Sequence, residues 1–289
     1  MNVALFGYPK TGKTTLFNLL TGAKIDVKSY EDGKKELNRR TCPVPDPRLD
    51  KIWSLYPEKK KIPATIEFID LAGIAYGDVK SSSYLDYLRR ADGLGHVVRG
   101  FFEAKIPHPK GKINPKDEIL SMEEELVLVD MLSIESRLEK LEKELKSSKS
   151  PEGEKEKELL ERLHSGLEEG IAIREISLAL QEEKLIRSFA FLSQKPLIHM
   201  VNFDEKDILL IENPEEIYAC QKKGIAVLAF CGKIEMEILE LEKEEIEAFL
   251  SEYGLKKLSA EKFLKVAYDL LKAITFFTIG KDEVKAWTI

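Results

Sequence analysis

Apolar residues come along this chain in two textures, short solid runs and longer stripes at helical spacing. "NVALFG" (2–7), "GLGHVVRG" (93–100), "KPLIHMVN" (195–202) and "GIAVLAF" (224–230) are solid runs, which predict buried strands. "ATIEFID" (64–70) alternates, as a strand with one wetter face does. Between the runs lie helical stripes. "KTTLFNLLTG" (13–22) carries Leu16, Phe17, Leu19 and Leu20 and stops at Gly22. "SSYLDYLRRA" (82–91) predicts a helix, and "REISLALQEEKLIRSFAFL" (174–192) a broad amphipathic one. "SAEKFLKVAYDLLK" (259–272) predicts a helix capped by Ser259, with Phe263, Val266, Ala267, Leu270 and Leu271 on one face. Residues 23–48 have scattered charge and proline and read mostly as loop. Strand–helix alternation of this kind predicts an α/β fold with a mostly parallel sheet flanked by helices.

Residues 118–170 break the alternation. Ile134, Leu138, Leu141 and Leu145 follow 4-3-4 spacing, the seam of a coiled coil. "SSKSPEGE" interrupts it, and Leu159, Leu160, Leu163 and Leu167 form a second stripe. Matching stripes around a Ser/Pro/Gly break predict an antiparallel helical hairpin inserted in the sheet domain. The expected division is 1–117 with 171–275 for the sheet domain, 118–170 for the hairpin and 276–289 for the start of a further segment.

Composition narrows the class. With 43% hydrophobic and 33% charged residues, 289 residues can pack a core under a densely charged surface. A net charge of −6 argues against a basic coat, so sequence-specific DNA binding is not expected. The short run "PEKKK" (57–61) reads as a solvated loop. Three cysteines without CxxC exclude a disulfide framework and a zinc ribbon and suit a reducing compartment. There is no signal-peptide pattern and no apolar window of membrane-span length, so the expected location is cytoplasmic.

The chemistry begins at "GYPKTGKT" (7–14), which matches G-x-x-x-x-G-K-[ST] between a predicted strand and helix. Gly7, Pro9, Lys10, Thr11, Gly12, Lys13, Thr14 and Thr15 make a loop whose N–H groups can cradle phosphates. Lys13 supplies a point charge to the β- and γ-phosphates, and the Thr14 hydroxyl is a Mg²⁺ ligand. This loop alone does not separate kinases, ATPases and GTPases. "IEFIDLAG" (66–73) narrows the choice, because Asp70 can hold Mg²⁺ and the Gly73 N–H can sense a γ-phosphate. The next residue is Ile74, where Ras-like enzymes carry a water-orienting glutamine. Either the chain hydrolyses poorly or another group positions the water.

Taken in order, "GYPKTGKTTLFNLLTG", "PVPDPRLD", "EFIDLAGI", "GHVVRGF", "HPKGKINP", "NFDE" and "FTIGKDEVKAWTI" resemble the YchF-type Obg-like ATPases over essentially the whole chain. The resemblance implies a preference for ATP, slow hydrolysis, Mg²⁺, ribosome association and a coiled-coil insertion. It also implies that a loop histidine replaces the glutamine, which places His108 in catalysis with Lys13 and Gly73. The strand 195–202 leads into "NFDE", a base-reading loop at the carboxyl edge of the sheet. Guanine offers two N–H groups to a carboxylate, and adenine does not. Glu205 is one methylene longer than the aspartate of guanine readers, so Asn202, Phe203 and Glu205 read adenine better. Cys231, Gly232 and Lys233 form the second base-side loop. Three features depart from the family. Lys34 stands where a switch I threonine is expected, "YGDVKSSS" replaces a glycine-rich switch II, and the chain ends where a C-terminal TGS domain would begin. "ITFFTIG" and "EVKAWTI" are strands expected to be left loose or repurposed there. Two readings follow, a slow ATPase switch and a non-hydrolysing nucleotide sensor that presents the hairpin to a partner.

Overall fold

The computed structural model describes residues 1–25, 37–75, 77–80, 82–103, 108, 111–148, 150–207, 214, 222–255 and 257–289. Lys34, Cys220 and parts of "YGDVKSSS" lie outside these. Each solid apolar run becomes a central strand: β1 (Asn2–Phe6), β5 (Gly93–Arg99), β6 (Leu197–Asn202) and β7 (Ile225–Phe230). With β2 (Asn38–Pro43) and β4 (Thr65–Asp70) they form one sheet in the order β2-β4-β1-β5-β6-β7. Every pairing is parallel except β2 with β4. Both faces of this sheet are covered, which is why its strands read as unbroken apolar runs. One face packs Val3, Leu5, Phe68, Val97 and Met200 under α1 (Lys13–Thr21) and α9 (Ser259–Leu270). The other packs Ala4, Phe6, Ile69, Leu94 and Leu197 under α3 (Ser82–Arg90) and the start of α4 (Pro115–Ser147).

The hairpin is α4 with α5 (Pro151–Glu168). Both helices start at proline, where the missing N–H costs nothing, behind an Asn114 or Ser150 cap that accepts a backbone N–H. Ile134 is buried against Leu159, Leu160, Leu163 and Leu167, with Leu138 beside them. Arg137 fixes the register by bonding Glu156 twice, at 2.7 and 2.9 Å. The root of α4 belongs to the sheet instead: Met122, Leu126 and Val129 are buried in its core. Burying each such side chain contributes roughly 1.5–3 kcal/mol, so the hairpin is anchored firmly to the nucleotide side.

Four local expectations are corrected. Residues 38–43 are a strand, not loop. As an antiparallel edge β2 buries only Cys42, so its polar side chains gave no apolar run. Residues 173–189 are not one helix. A 3₁₀ turn (Ile173–Glu175), an extended stretch, α6 (Leu180–Ile186) and a second 3₁₀ turn (Arg187–Phe189) replace it. Extended backbone sets Ile176 and Leu178 together against the hairpin core, and Glu182 accepts the Ala179 N–H to restart the helix. Ser259 is not the cap of α9. Leu258 is, and the Ser259 hydroxyl goes to Glu235 at 2.7 Å. Finally, the C-terminal strands are not loose. β8 (Thr275–Ile279) and β9 (Glu283–Thr288) pair antiparallel, and β9 pairs with β3 (Lys60–Ile62), which begins in the run 57–61 read as solvated loop. This small sheet packs Val284, Ala286 and Phe277 on α2 (Pro47–Trp53).

Candidate nucleotide site

The carboxyl ends of β1, β4, β6 and β7 converge on residues 7–15. Gly7 and Gly12 hold φ of 139° and 99°, angles open to glycine, and Lys10 follows at 61°. Lys13 opens α1, is 6% exposed and donates to the Tyr8 carbonyl at 2.6 Å. Burial pulls its pKa down to about 8, against the opposing pull of Asp70 and Glu118. Thr14 donates to Asp70 at 3.0 Å, and both are buried. Among the described residues no cluster of three His, Cys, Asp or Glu could hold a metal ion. A hydroxyl beside a carboxylate offers two oxygen donors of the kind that a hard cation such as Mg²⁺ takes.

Gly73 lies directly against Pro9 of the loop, and the Ile74 N–H donates to the Gly7 carbonyl at 3.0 Å. Ile74 is itself fully buried in the core with Phe6 and Tyr8, turned away from water chemistry. Asn202 joins the loop at 7–15 to the start of the segment after β7. It donates to the Thr11 carbonyl at 3.1 Å and accepts the Gly232 N–H at 3.0 Å. Glu205 pairs with Lys233 at 2.5 Å, linking the segments that follow β6 and β7. Phe203 and Cys231 are buried with Val98 and Ile234, so the Phe203 ring packs into the core. Pro9 and Lys10 are exposed, and Thr15 is half-buried at the start of α1.

His108 Nε2 sits 3.3 Å from the Glu118 carboxylate, with both side chains nearly buried. Sequence reasoning missed Glu118, because an acid in the first turn of a helix reads as a partner of the helix dipole. It also missed Glu125 on α4, which accepts from the Tyr8 hydroxyl at 3.3 Å and the Gly77 N–H at 3.1 Å. The phosphate loop and the segment after Gly73 are thereby tied to the hairpin root.

A buried polar chain runs beneath the loop. His96 lies against Phe6 and Gly7, and its Nδ1 is 2.9 Å from Nδ1 of His199. His199 Nε2 faces Glu123 at 3.3 Å, and Glu123 meets Lys222 at 3.2 Å. Burial, then His199 and Lys13, hold His96 well below the usual histidine range. A buried neutral histidine stabilises the fold above about pH 6.5, and that stability is lost as pH falls and the unfolded chain takes the proton. Glu235 works the other way. Burial pushes its carboxyl up to about 7, so on acidification the folded chain takes its proton first and gains about 2 kcal/mol between pH 7 and 5. In urea unfolding, Glu235→Gln should therefore lose about 2 kcal/mol more than wild type between pH 7 and 5. Equal losses would show that Glu235 keeps an ordinary pKa.

The profile of the 50S ribosome-binding GTPases matches residues 2–147. The chain is 33% identical to the ribosome-binding ATPase YchF of Bacillus subtilis, over 100% of this chain and 81% of that protein. It is 36% identical to the ribosome-binding ATPase YchF of Haemophilus influenzae, over 99% and 80%. The solved YchF GTPase of Schizosaccharomyces pombe superposes with a TM-score of 0.80 at 25% identity, covering 100% of this chain and 80% of that one. No helix among the described residues is long and apolar enough to cross a membrane.

Proposed function

The chain belongs to the YchF family of P-loop GTPases, and from that premise we propose that it binds ATP with Mg²⁺, hydrolyses it slowly and acts as a ribosome-associated switch. The observation that carries this reading is the buried Thr14–Asp70 hydrogen bond next to the buried Lys13, with Asn202 bonded to the same loop. Lys13 and the loop N–H groups take the phosphate charge. Thr14 and Asp70 would hold Mg²⁺, which when bound neutralises the β- and γ-phosphate oxygens. The Gly73 N–H reports whether a γ-phosphate is present. A water attacks the γ-phosphorus, the bond to the β–γ bridging oxygen breaks, and ADP leaves. Ile74 is buried in the core and cannot orient that water, so His108 takes the role.

Adenine is favoured by the Glu205–Lys233 pair. A carboxylate engaged by an ammonium is a poor acceptor for the two N–H groups of guanine. The switch role rests on Glu125, through which a change at the loop or after Gly73 reaches the hairpin. Ribosome association rests on the names of the relatives, and the hairpin is the element best placed to carry the signal outward.

Titration calorimetry of the nucleotide-free chain with ATP and with GTP, each with Mg²⁺, tests this alongside phosphate release. The expected result is ATP binding at least about tenfold tighter, a difference of about 1.4 kcal/mol, with measurable turnover. Tighter GTP binding would overturn the adenine assignment. Binding without phosphate release would make the protein a nucleotide sensor.

A further inference from the structure

We propose that Glu118 is the positioning residue of the hydrolytic centre, fixing the orientation and tautomer of His108. The inference rests on the role of His108 given above. Glu118 stands in the first turn of α4, behind the Asn114 cap, and is fully buried. Its helix cannot shift easily. Ile119 is locked with Val98 and Phe203 on the base side, and Met122 with Phe6 and Tyr8 beneath the phosphate loop. The carboxylate is thus held on a rigid element between the two halves of the nucleotide site. Among the described residues, His108 at 3.3 Å, Lys13 and the buried Arg99 lie close to it. The Lys13 and Arg99 charges lie near this carboxylate, and a helix N-terminus suits an anion.

An ionised carboxylate only accepts hydrogen bonds. His108 must then donate from Nε2, and its neutral ring carries the lone pair on Nδ1. Nδ1 is the atom that would orient the attacking water. If a proton moves, it passes from water to Nδ1 as the oxygen bonds to the γ-phosphorus and ADP leaves with the bridging electron pair. The imidazolium faces Glu118 until the proton passes to phosphate or solvent. An acid behind a histidine does this work in other hydrolases, by choosing the tautomer and stabilising the charged ring.

The test uses the full chain and four proteins: wild type, Glu118→Gln, His108→Ala and the double variant. Steady-state phosphate release from Mg·ATP is followed across pH 5.5–9. Glu118→Gln should lower kcat by about tenfold with little change in KM, and should cost nothing further in the His108→Ala background. It should also move the acidic limb of the rate profile to lower pH, because the ring loses its anionic neighbour. A merely structural glutamate would not move that limb. NMR of the ring nitrogens, with His108 assigned from the alanine variant, supplies a readout independent of turnover, and His108 should show the Nε2–H tautomer. An Nδ1–H tautomer, a Glu118→Gln rate equal to wild type while His108→Ala is slow, or additive losses would each overturn the inference. Wild-type turnover in His108→Ala is a different result: it removes the role of His108 itself, and Glu118 with it.

Discussion

Lys13→Met should lower ATP turnover by roughly a thousandfold and weaken ATP binding as well. The ammonium is aimed before any ligand arrives, since it is almost fully buried and held by the Tyr8 carbonyl at 2.6 Å. A buried charge in fixed position acts on the phosphates without reorganising, and its effect in a water-poor site is far larger than in solvent. Methionine keeps the length and apolar stem and removes only the charge. Burial costs the ammonium more than Asp70 and Glu118 return to it, so the nucleotide-free variant should be no less stable than wild type. The pKa near 8 adds a sign. Above that pH the free chain loses the Lys13 proton while bound phosphate would restore it, so ATP binding should take up a proton and weaken as pH rises past 8. Phosphate-release kinetics, calorimetry in buffers of different ionisation enthalpy and a urea melt check the three parts. Near-normal turnover in Lys13→Met would remove the loop from catalysis.

The parts of this molecule that were legible in the sequence are those whose partners are close along the chain or whose burial is two-sided. The loop at 7–14 is contiguous, and the central strands are apolar because helices cover both faces. The hairpin stripes repeat because each helix has one partner. What was hidden depends on distant pairings or on backbone alone. β3 begins in a lysine run and joins β9 by main-chain bonds, which leave no mark on side-chain pattern. His96 meets His199 across neighbouring strands from 103 residues away, and each alone looks like an ordinary core histidine. Glu118 sits near Lys13 only because α4 returns to the loop. Asn202 ends an apolar run and was legible as a strand end, but not as the bond between the loop at 7–14 and Gly232.

Gly73→Ala should leave ATP bound within a few fold and lower its hydrolysis by about a hundredfold, separating recognition of the nucleotide from response to it. The cause is contact. A methyl carbon on Gly73 would stand 2.6 Å from the Pro9 Cα and 2.8 Å from its nitrogen. Those are backbone atoms, so no rotamer relieves the clash, and one segment must move. The phosphate loop is pinned by Asn202 and Lys13, so the segment after β4 gives way. Its retreat would stretch the bond from the Ile74 N–H to the Gly7 carbonyl and draw Ile74 out of a core where it is fully buried. Overpacking of this kind costs about 1–3 kcal/mol, and a melt would register it. The Gly73 N–H, proposed above to sense the γ-phosphate, would then stand off from it, while Lys13, Thr14 and the segments after β6 and β7 stay in place. Gly280→Ala is the matching control. Its added carbon meets nothing nearer than the Glu283 carbonyl at 3.5 Å, in the small sheet, and turnover should not change. If Gly73→Ala hydrolyses ATP as wild type does, this glycine is a packing residue and the response to nucleotide runs elsewhere. If ATP binding is lost together with hydrolysis, the segment after β4 belongs to the binding site itself and recognition cannot be separated from the switch.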